Sequence, residues 1–299
     1  MGRILIAGGS GLIGKVTTEL LLQNNYEVIH LSRTKKNSKV PTYVWDIKNE
    51  YIDPEALENI DYVINFAGAG IADQRWTDAR KKAIIDSRVK GNLLLKKYID
   101  DGILRPKKII SSAAIGVYGD RGEEVLTEES DLGKDGFLAE SCIQWEESIH
   151  TLAQSKVPLA MVRIGIVLSP DGGALAKMIL PAKFGLGSYF GDGSQIYSWI
   201  HIDDIARIFH WLVQHEDAIG IYNGTAPNPV SNKALTQSLM NAKNGLGVVA
   251  PVPTFALSIM LGEMKQVVMW GSKVIPEKLI KEGFKFKFEQ IDNAMQDLV

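Results

Sequence analysis

Apolar residues fall along the first two-thirds of this chain in two alternating textures. Ile4–Ala7, Glu27–Leu31, Tyr62–Phe66, Lys108–Ser111 and Leu159–Arg163 are short runs rich in Val and Ile. They are bounded mostly by Gly, Asn, Ser or Pro, and so predict buried strands. Between them Gly14–Gln23, Asp78–Asp100 and Ala139–Gln154 carry apolar residues at steps of three and four, which predicts helices. Strand–helix–strand repetition predicts an α/β fold of the Rossmann kind, a doubly wound parallel sheet with right-handed crossovers.

Past Arg163 the texture changes. Gly172, Gly173, Gly185, Gly187, Gly191 and Gly193 punctuate a loop-rich stretch, and prolines gather between Pro227 and Pro253. The expected division is a dinucleotide-binding domain over 1–168 and a smaller α+β substrate lobe over 169–299, with a return to the first domain near 198–214.

Composition narrows the partners. The 299 residues carry a formal net charge of −2, with no basic surplus to attract phosphate backbones, so nucleic acid is not an expected partner. One cysteine, Cys142, excludes an internal disulfide framework and a cysteine-based zinc site, and no metal site is expected. The most apolar stretch, Val248 to Leu261, contains Pro251 and Pro253 and is too short to span a bilayer. Met1-Gly2-Arg3 leads straight into the first apolar run without a secretory pattern, and the expectation is a cytoplasmic protein with no membrane partner.

The strongest chemical signal is Ala7-Gly8-Gly9-Ser10-Gly11-Leu12-Ile13-Gly14, between the first predicted strand and the first helix. Gly8 permits a sharp turn, Gly11 admits a close pyrophosphate, and Gly14 lets the helix pack on the sheet. The helix N-terminus then offers free N–H groups and a positive dipole end to phosphate. The spacing differs from G-x-G-x-x-G but serves the same mechanics. At the end of the second strand, where an acid would hold the ribose 2′-hydroxyl of NAD, the chain reads Ser32-Arg33-Thr34-Lys35-Lys36. Arg33 suits a 2′-phosphate in bidentate geometry and Ser32 adds a hydrogen bond, so NADP(H) is expected in preference to NAD(H).

Asn65-Phe66-Ala67-Gly68, the run Ser111 to Gly119, and Arg163 join the glycine loop in a wider pattern. Gln74 to Arg80, Asp86-Ser87-Arg88, Trp145-Glu146, Gly172 to Leu175, Tyr197 to Asp204, Ala226 to Val230, Leu261-Gly262-Glu263 and Pro276 to Leu279 extend it over essentially the whole chain. The sequence therefore resembles the extended short-chain dehydrogenase/reductase superfamily. More narrowly, it resembles the atypical epimerase-like branch of NAD-dependent epimerases/dehydratases, the sugar-nucleotide-epimerase-like proteins. The resemblance implies that Ser10, Gly11, Leu12 and Ile13 touch the pyrophosphate and that Ala67 and Gly68 line the adenosine side. It puts Ser111, Ser112 and the segment 163–167, with Arg163 and Gly165, beside the nicotinamide. Asp46, after the predicted short strand Thr42–Trp45, would contact the adenine, or equally cap a strand-end turn.

Active members of that superfamily use a Ser/Thr with Tyr-x-x-x-Lys on one helix face. Here the corresponding pair is Phe137/Ser141 in one register and Leu138/Cys142 in the other, and neither contains Tyr or Lys. The serine position falls on Ala113 or Ala114, leaving Ser112 as the nearest hydroxyl and the candidate catalytic residue, unless it serves the backbone. Arg75, Trp76, Arg88, Tyr118, Tyr197, Trp199 and His201 are the expected pocket residues. Arg75 and Trp76 suit an anionic group or, equally, a buried ion pair with an aromatic cover. Strand alternation would set Trp199, His201 and Asp203 on one face, with His201 more often structural than catalytic. Glu140 reads as a solvated position and Cys142 as a core thiol.

Two functions fit. One is an NADP(H)-dependent epimerase-like oxidoreductase transferring hydride to or from a small or sugar-like substrate. The other is a non-catalytic NADP(H)-binding sensor. Related proteins pair through long helices, so Asp78–Asp100 is a candidate homodimer face, although its exposed side is polar.

Overall fold

The computed structural model describes residues 2–35, 38–243 and 247–299. In the first layer, β1 (Arg3–Ala7), α1 (Leu12–Gln23), β2 (Glu27–Ser32), β3 (Thr42–Asp46) and β4 (Tyr51–Ile52) are followed by β5 (Tyr62–Asn65) and α2 (Asp78–Asp100). Next come β6 (Lys108–Ala114), β7 (Gly122–Leu126), α3 (Gly136–Ala153) and β8 (Leu159–Ile164). The segments predicted from periodicity are all present, with ends moved by up to three residues. In β1, Ile4 and Ile6 enter the core cluster on one face of the sheet, and Leu5 and Ala7 that on the other. That alternation is why the strand reads as an unbroken apolar run.

The rest of the chain is β9 (Ile166–Leu168), α4 (Gly173–Ala182), β10 (Leu186–Phe190), β11 (Ile196–Tyr197), β12 (Trp199–His201), α5 (Ile202–Gln214) and β13 (Gly220–Gly224). Then follow β14 (Val230–Ser231), α6 (Asn232–Ala242), β15 (Val248–Val252), α7 (Thr254–Leu261), α8 (Gln266–Met269), β16 (Ser272–Val274), α9 (Glu277–Lys281) and α10 (Ile291–Leu298). The main sheet has the order β13-β8-β6-β5-β1-β2-β3-β4, parallel except for β4 against β3. Strand order reverses between β1 and β5, so the crevice at their C-terminal ends is the topological switch point where ligands of such sheets bind.

The return to the first layer includes more than a helix. Helix α5 packs against α1, and β13 extends the main sheet by pairing with β8. In the other direction β7 leaves the first layer and pairs with β16. Asp204, fully buried in α5, accepts the backbone N–H groups of Lys287 and Phe288 and tethers the C-terminal segment. Among the described residues no helix is long and apolar enough to cross a membrane.

His30 on β2 lies beneath the glycine loop, its ring wedged under Gly9 and its Nε2 2.8 Å from Thr18 Oγ1. Burial lowers its pKa from 6.5 to about 4, so the native ring is neutral. A depressed histidine contributes stability that is present above pH 6.5 and is lost as the unfolded chain takes up the proton, down to about pH 4. Unfolding followed from pH 7 to pH 4 should therefore show a weaker acid loss in His30→Gln than in wild type; identical slopes would remove His30 from that account.

Candidate cofactor and substrate site

The turn after β1 is built by exclusion of side chains. Gly8 adopts φ +79°, and a Cβ there would lie 2.9 Å from the Phe66 carbonyl carbon and 3.0 Å from the Ala67 nitrogen. A Cβ on Gly14 would meet Gly8 O at 2.6 Å and Gly9 Cα at 2.7 Å. The Gly11 amide closes the turn on Gly8 O at 3.0 Å, and Gly11 begins α1 without a side-chain cap. The first N–H groups of the helix at Leu12, Ile13 and Gly14 thus have no intrahelical acceptor, and Gly11 offers no side chain to cap them. Such a nest fits the pyrophosphate of a dinucleotide. Ser10 is exposed on the same turn.

A chain of side-chain amides that periodicity did not single out holds the facing loop. Asn65, the last residue of β5, accepts the Ala67 N–H and donates to Asn92 Oδ1 at 2.7 Å; Asn92 donates to Ser148 Oγ at 2.9 Å. All three are buried, so β5, α2 and α3 are locked together beneath Ala67 and Gly68. The available signal was a polar residue in otherwise apolar company, as in Tyr-Val-Ile-Asn.

Ser32 ends β2 half-buried, and Arg33, Thr34 and Lys35 beyond it are exposed; Lys36 lies outside the described residues. No carboxylate pairs with Arg33 among the described residues. Asp46 is engaged locally: it accepts the N–H groups of Lys48 and Asn49 and the Asn49 side-chain amide. The turn-cap alternative describes its contacts, and those hydrogen bonds lower its pKa, the Asn49 side chain foremost.

On the other side of the crevice a cavity of about 170 Å³ is lined by Ala114, Ile115, Gly116, Leu138, Gly165 and Tyr197, among others. Leu138 faces this cavity, and Cys142 Sγ lies 3.2 Å from a Cβ built on Gly116. The Leu138/Cys142 register, not Phe137/Ser141, is therefore the face α3 presents to the loop after β6. Phe137 packs edge-on to Trp76, Ser141 bonds to Leu138 O, and Glu140 is exposed. Burial pushes the Cys142 thiol up to about 12, leaving it inert at neutral pH. Ser112 Oγ donates to Asn65 O at 2.9 Å and is buried, as is Ser111.

Several expected site residues have other work. Arg163, expected beside the nicotinamide, is buried, and its Nε and Nη2 each meet a Glu146 oxygen at 2.8 Å while Nη1 donates to Tyr118 Oη. Burial pulls this guanidinium's pKa down, but the bidentate pair reverses that and leaves it raised. Tyr118 is fully buried beneath it, its hydroxyl also 2.8 Å from Asn223 Oδ1, and Trp199 is fully buried with its indole N–H on Asn228 O. Both are buried side chains, and neither lines the 170 Å³ cavity. The strand ends at His201, so Asp203 does not share its face. His201 caps α5, its Nδ1 accepting the Asp203 N–H, and stacks on Phe288 at 3.9 Å. Gly165 and Tyr197 do line the cavity; the Tyr197 hydroxyl donates to Val268 O, and burial raises its pKa.

Arg75 and Trp76 form a latch. The Arg75 guanidinium donates to the carbonyls of Ile259 and Met260 at the end of α7, Lys81 pairs with Glu263, and the Trp76 indole N–H bonds to Ile71 O. The segment 254–269 is thereby held over the loop that follows β5. Among the described residues no group of three His, Cys, Asp or Glu is arranged for a metal.

Residues 4–223 match the family model described as the NAD dependent epimerase/dehydratase family, and residues 252–298 match a domain of unknown function, DUF1731. Epimerase family protein YfhF of Bacillus subtilis is 33% identical over 298 residues, covering 99% of this chain and 97% of its own. The chloroplastic epimerase family protein SDR39U1 homolog of Arabidopsis thaliana is 33% identical over 303 residues, covering 99% and 86%. The human epimerase family protein SDR39U1, solved with NADPH, superposes with a TM-score of 0.88 at 27% identity, covering 99% of this chain and 98% of that one. By sequence and by fold, this chain belongs to the NAD dependent epimerase/dehydratase family.

Proposed function

We propose that the chain binds NADP(H) across the β1/β5 crevice and acts as an epimerase-like oxidoreductase, passing hydride between the nicotinamide and a small or sugar-like substrate. The observation that carries this reading is the glycine loop, where backbone packing excludes side chains at Gly8 and Gly14 and leaves the α1 N-terminus uncapped. The human relative with NADPH, and an exposed Arg33 where an acid would suit NAD, support the phosphate-bearing cofactor. Bound there, the cofactor would supply the hydride; Gly165 and Leu138 would wall the reacting face.

A second reading has an observation in its favour. Tyr197 is the one titratable side chain among the lining residues of the 170 Å³ cavity, and its proton is tied to Val268 O. A site without a poised acid or base also suits a protein that holds NADP(H) and reports its redox state. The two readings separate when NADPH-loaded protein is mixed with carbonyl compounds and nucleotide sugars: nicotinamide oxidation or sugar isomerisation supports the enzyme, and binding without turnover supports the sensor.

Cofactor choice is tested at Arg33. Arg33→Ala should cost NADPH binding about 1–3 kcal/mol, the range for hydrogen bonds to a charged group, and leave NADH binding nearly unchanged. Equal losses for both cofactors would remove Arg33 from the 2′-phosphate.

A further inference from the structure

Two arginines of this protein, Arg163 buried and Arg88 half-buried, differ in how they are satisfied. Arg163 is paired with Glu146 through two nitrogens and with Tyr118 through the third. Arg88, on α2, has no carboxylate partner among the described residues. Its Nη1 donates to Ile84 O of its own helix at 3.0 Å, and its guanidinium lies over the Trp145 ring at 4.7 Å. Its Nε and Nη2 make no hydrogen bond among the described residues. Burial draws its pKa down, and the neighbouring Arg80 does the same, with Cys142 opposing. Arg80 is itself bonded to Gly70 O with Asp73 no nearer than 3.7 Å. A half-buried guanidinium without a carboxylate partner keeps hydrogen-bond donors free for a ligand.

The position gives those donors a use. Arg88 Cζ lies 3.1 Å from a Cβ built on Gly68, two residues beyond Phe66, against which the phosphate turn packs. Trp145, over which it lies, stands one turn along α3 from Cys142, whose Sγ is 3.2 Å from a Cβ built on Gly116 on the cavity wall. Arg88 thus stands between the dinucleotide loop and the cavity, opposite the α3 face that carries Leu138 and Cys142 and no cation. We propose that Arg88 is a binding residue of this site: its guanidinium, delivered from α2, grips an oxyanion of the ligand, a phosphate or a carboxylate. The inference rests on the cofactor reading above. The oxyanion belongs either to the cofactor or to the substrate.

The test uses the full chain with Arg88→Gln and Arg88→Lys, and NADPH, 2′,5′-ADP and inorganic phosphate as probes. Loss of a charge-assisted contact should weaken the relevant probe by about tenfold or more in Arg88→Gln, with most of it regained in Arg88→Lys. If the cofactor supplies the oxyanion, NADPH weakens; 2′,5′-ADP weakens with it when Arg88 holds the adenosine half, and binds as in wild type when Arg88 holds the nicotinamide half. If the substrate supplies it, NADPH binds normally, and thermal protection of the NADPH-loaded protein by millimolar phosphate is lost in Arg88→Gln alone. A packing role would lower the melting temperature of both variants and leave every affinity and the phosphate protection unchanged, which overturns the proposal. Wild-type protein that binds neither NADPH nor NADH would instead overturn the cofactor reading itself.

Discussion

Glu146→Ala is expected to destabilise the protein by about 3–5 kcal/mol, the usual cost of leaving one partner of a buried ion pair alone. Glu146 and Arg163 have side chains only 4% and 3% exposed, and the guanidinium would keep a single partner, the Tyr118 hydroxyl. The pair ties α3 to β8 next to the cavity, so the loss should spread to the wall formed by 164–166. Urea unfolding measures it directly. Glu146→Leu combined with Arg163→Met removes both charges and should recover most of the stability, because an apolar pair has no ion to desolvate. A loss below about 1 kcal/mol for the single variant would mean that water reaches the guanidinium and that the pair is not structural.

Gly14→Ala should weaken NADPH binding by about tenfold to a hundredfold while leaving most of the fold in place. The added Cβ would sit 2.6–2.9 Å from Gly8 O, Gly9 Cα and Gly9 C, all backbone, so the turn must move rather than a flexible side chain. Displacing the turn misaligns the α1 N–H groups, and each hydrogen bond to a charged phosphate is worth about 1.5–3 kcal/mol. Fluorescence titration of the nicotinamide gives the affinity, and the unfolding midpoint shows whether the variant remains folded. Unchanged affinity would mean that the pyrophosphate does not lie on this turn.

The first layer of the fold was legible because its strands are buried on both faces. Ile4–Ala7 and Tyr62–Asn65 therefore stand out as runs, and α2 keeps its apolar spacing through 23 residues. The short elements outside the main sheet were not legible at the same level. Strands β7 and β16 are five and three residues long and pair across about 150 positions, and α8 is a single turn. Local periodicity carries no record of such pairing.

The site divides along similar lines. The glycine turn is written in consecutive residues and its geometry follows from them. Arg163 was placed beside the nicotinamide by the resemblance, and Tyr118 and Trp199 were read as pocket residues for their polar or aromatic side chains, yet each is satisfied by a partner distant in sequence: Glu146 on α3, Asn223 on β13, Asn228 beyond it. His201 is a helix cap because α5 starts one residue later, a boundary that strand alternation misplaces. The Asn65–Asn92–Ser148 chain was invisible for the converse reason, since three single polar residues in three elements join only once the sheet and helices have packed.

On the proposed reading, this chain binds NADP(H) through the glycine turn and Arg33. Titration of the purified wild-type protein with NADPH and with NADH, after removal of any carried cofactor, tests it most directly. Saturable binding of NADPH, tighter than NADH by about tenfold or more, is the expected result. Binding of neither dinucleotide, or equal binding of both, would contradict it.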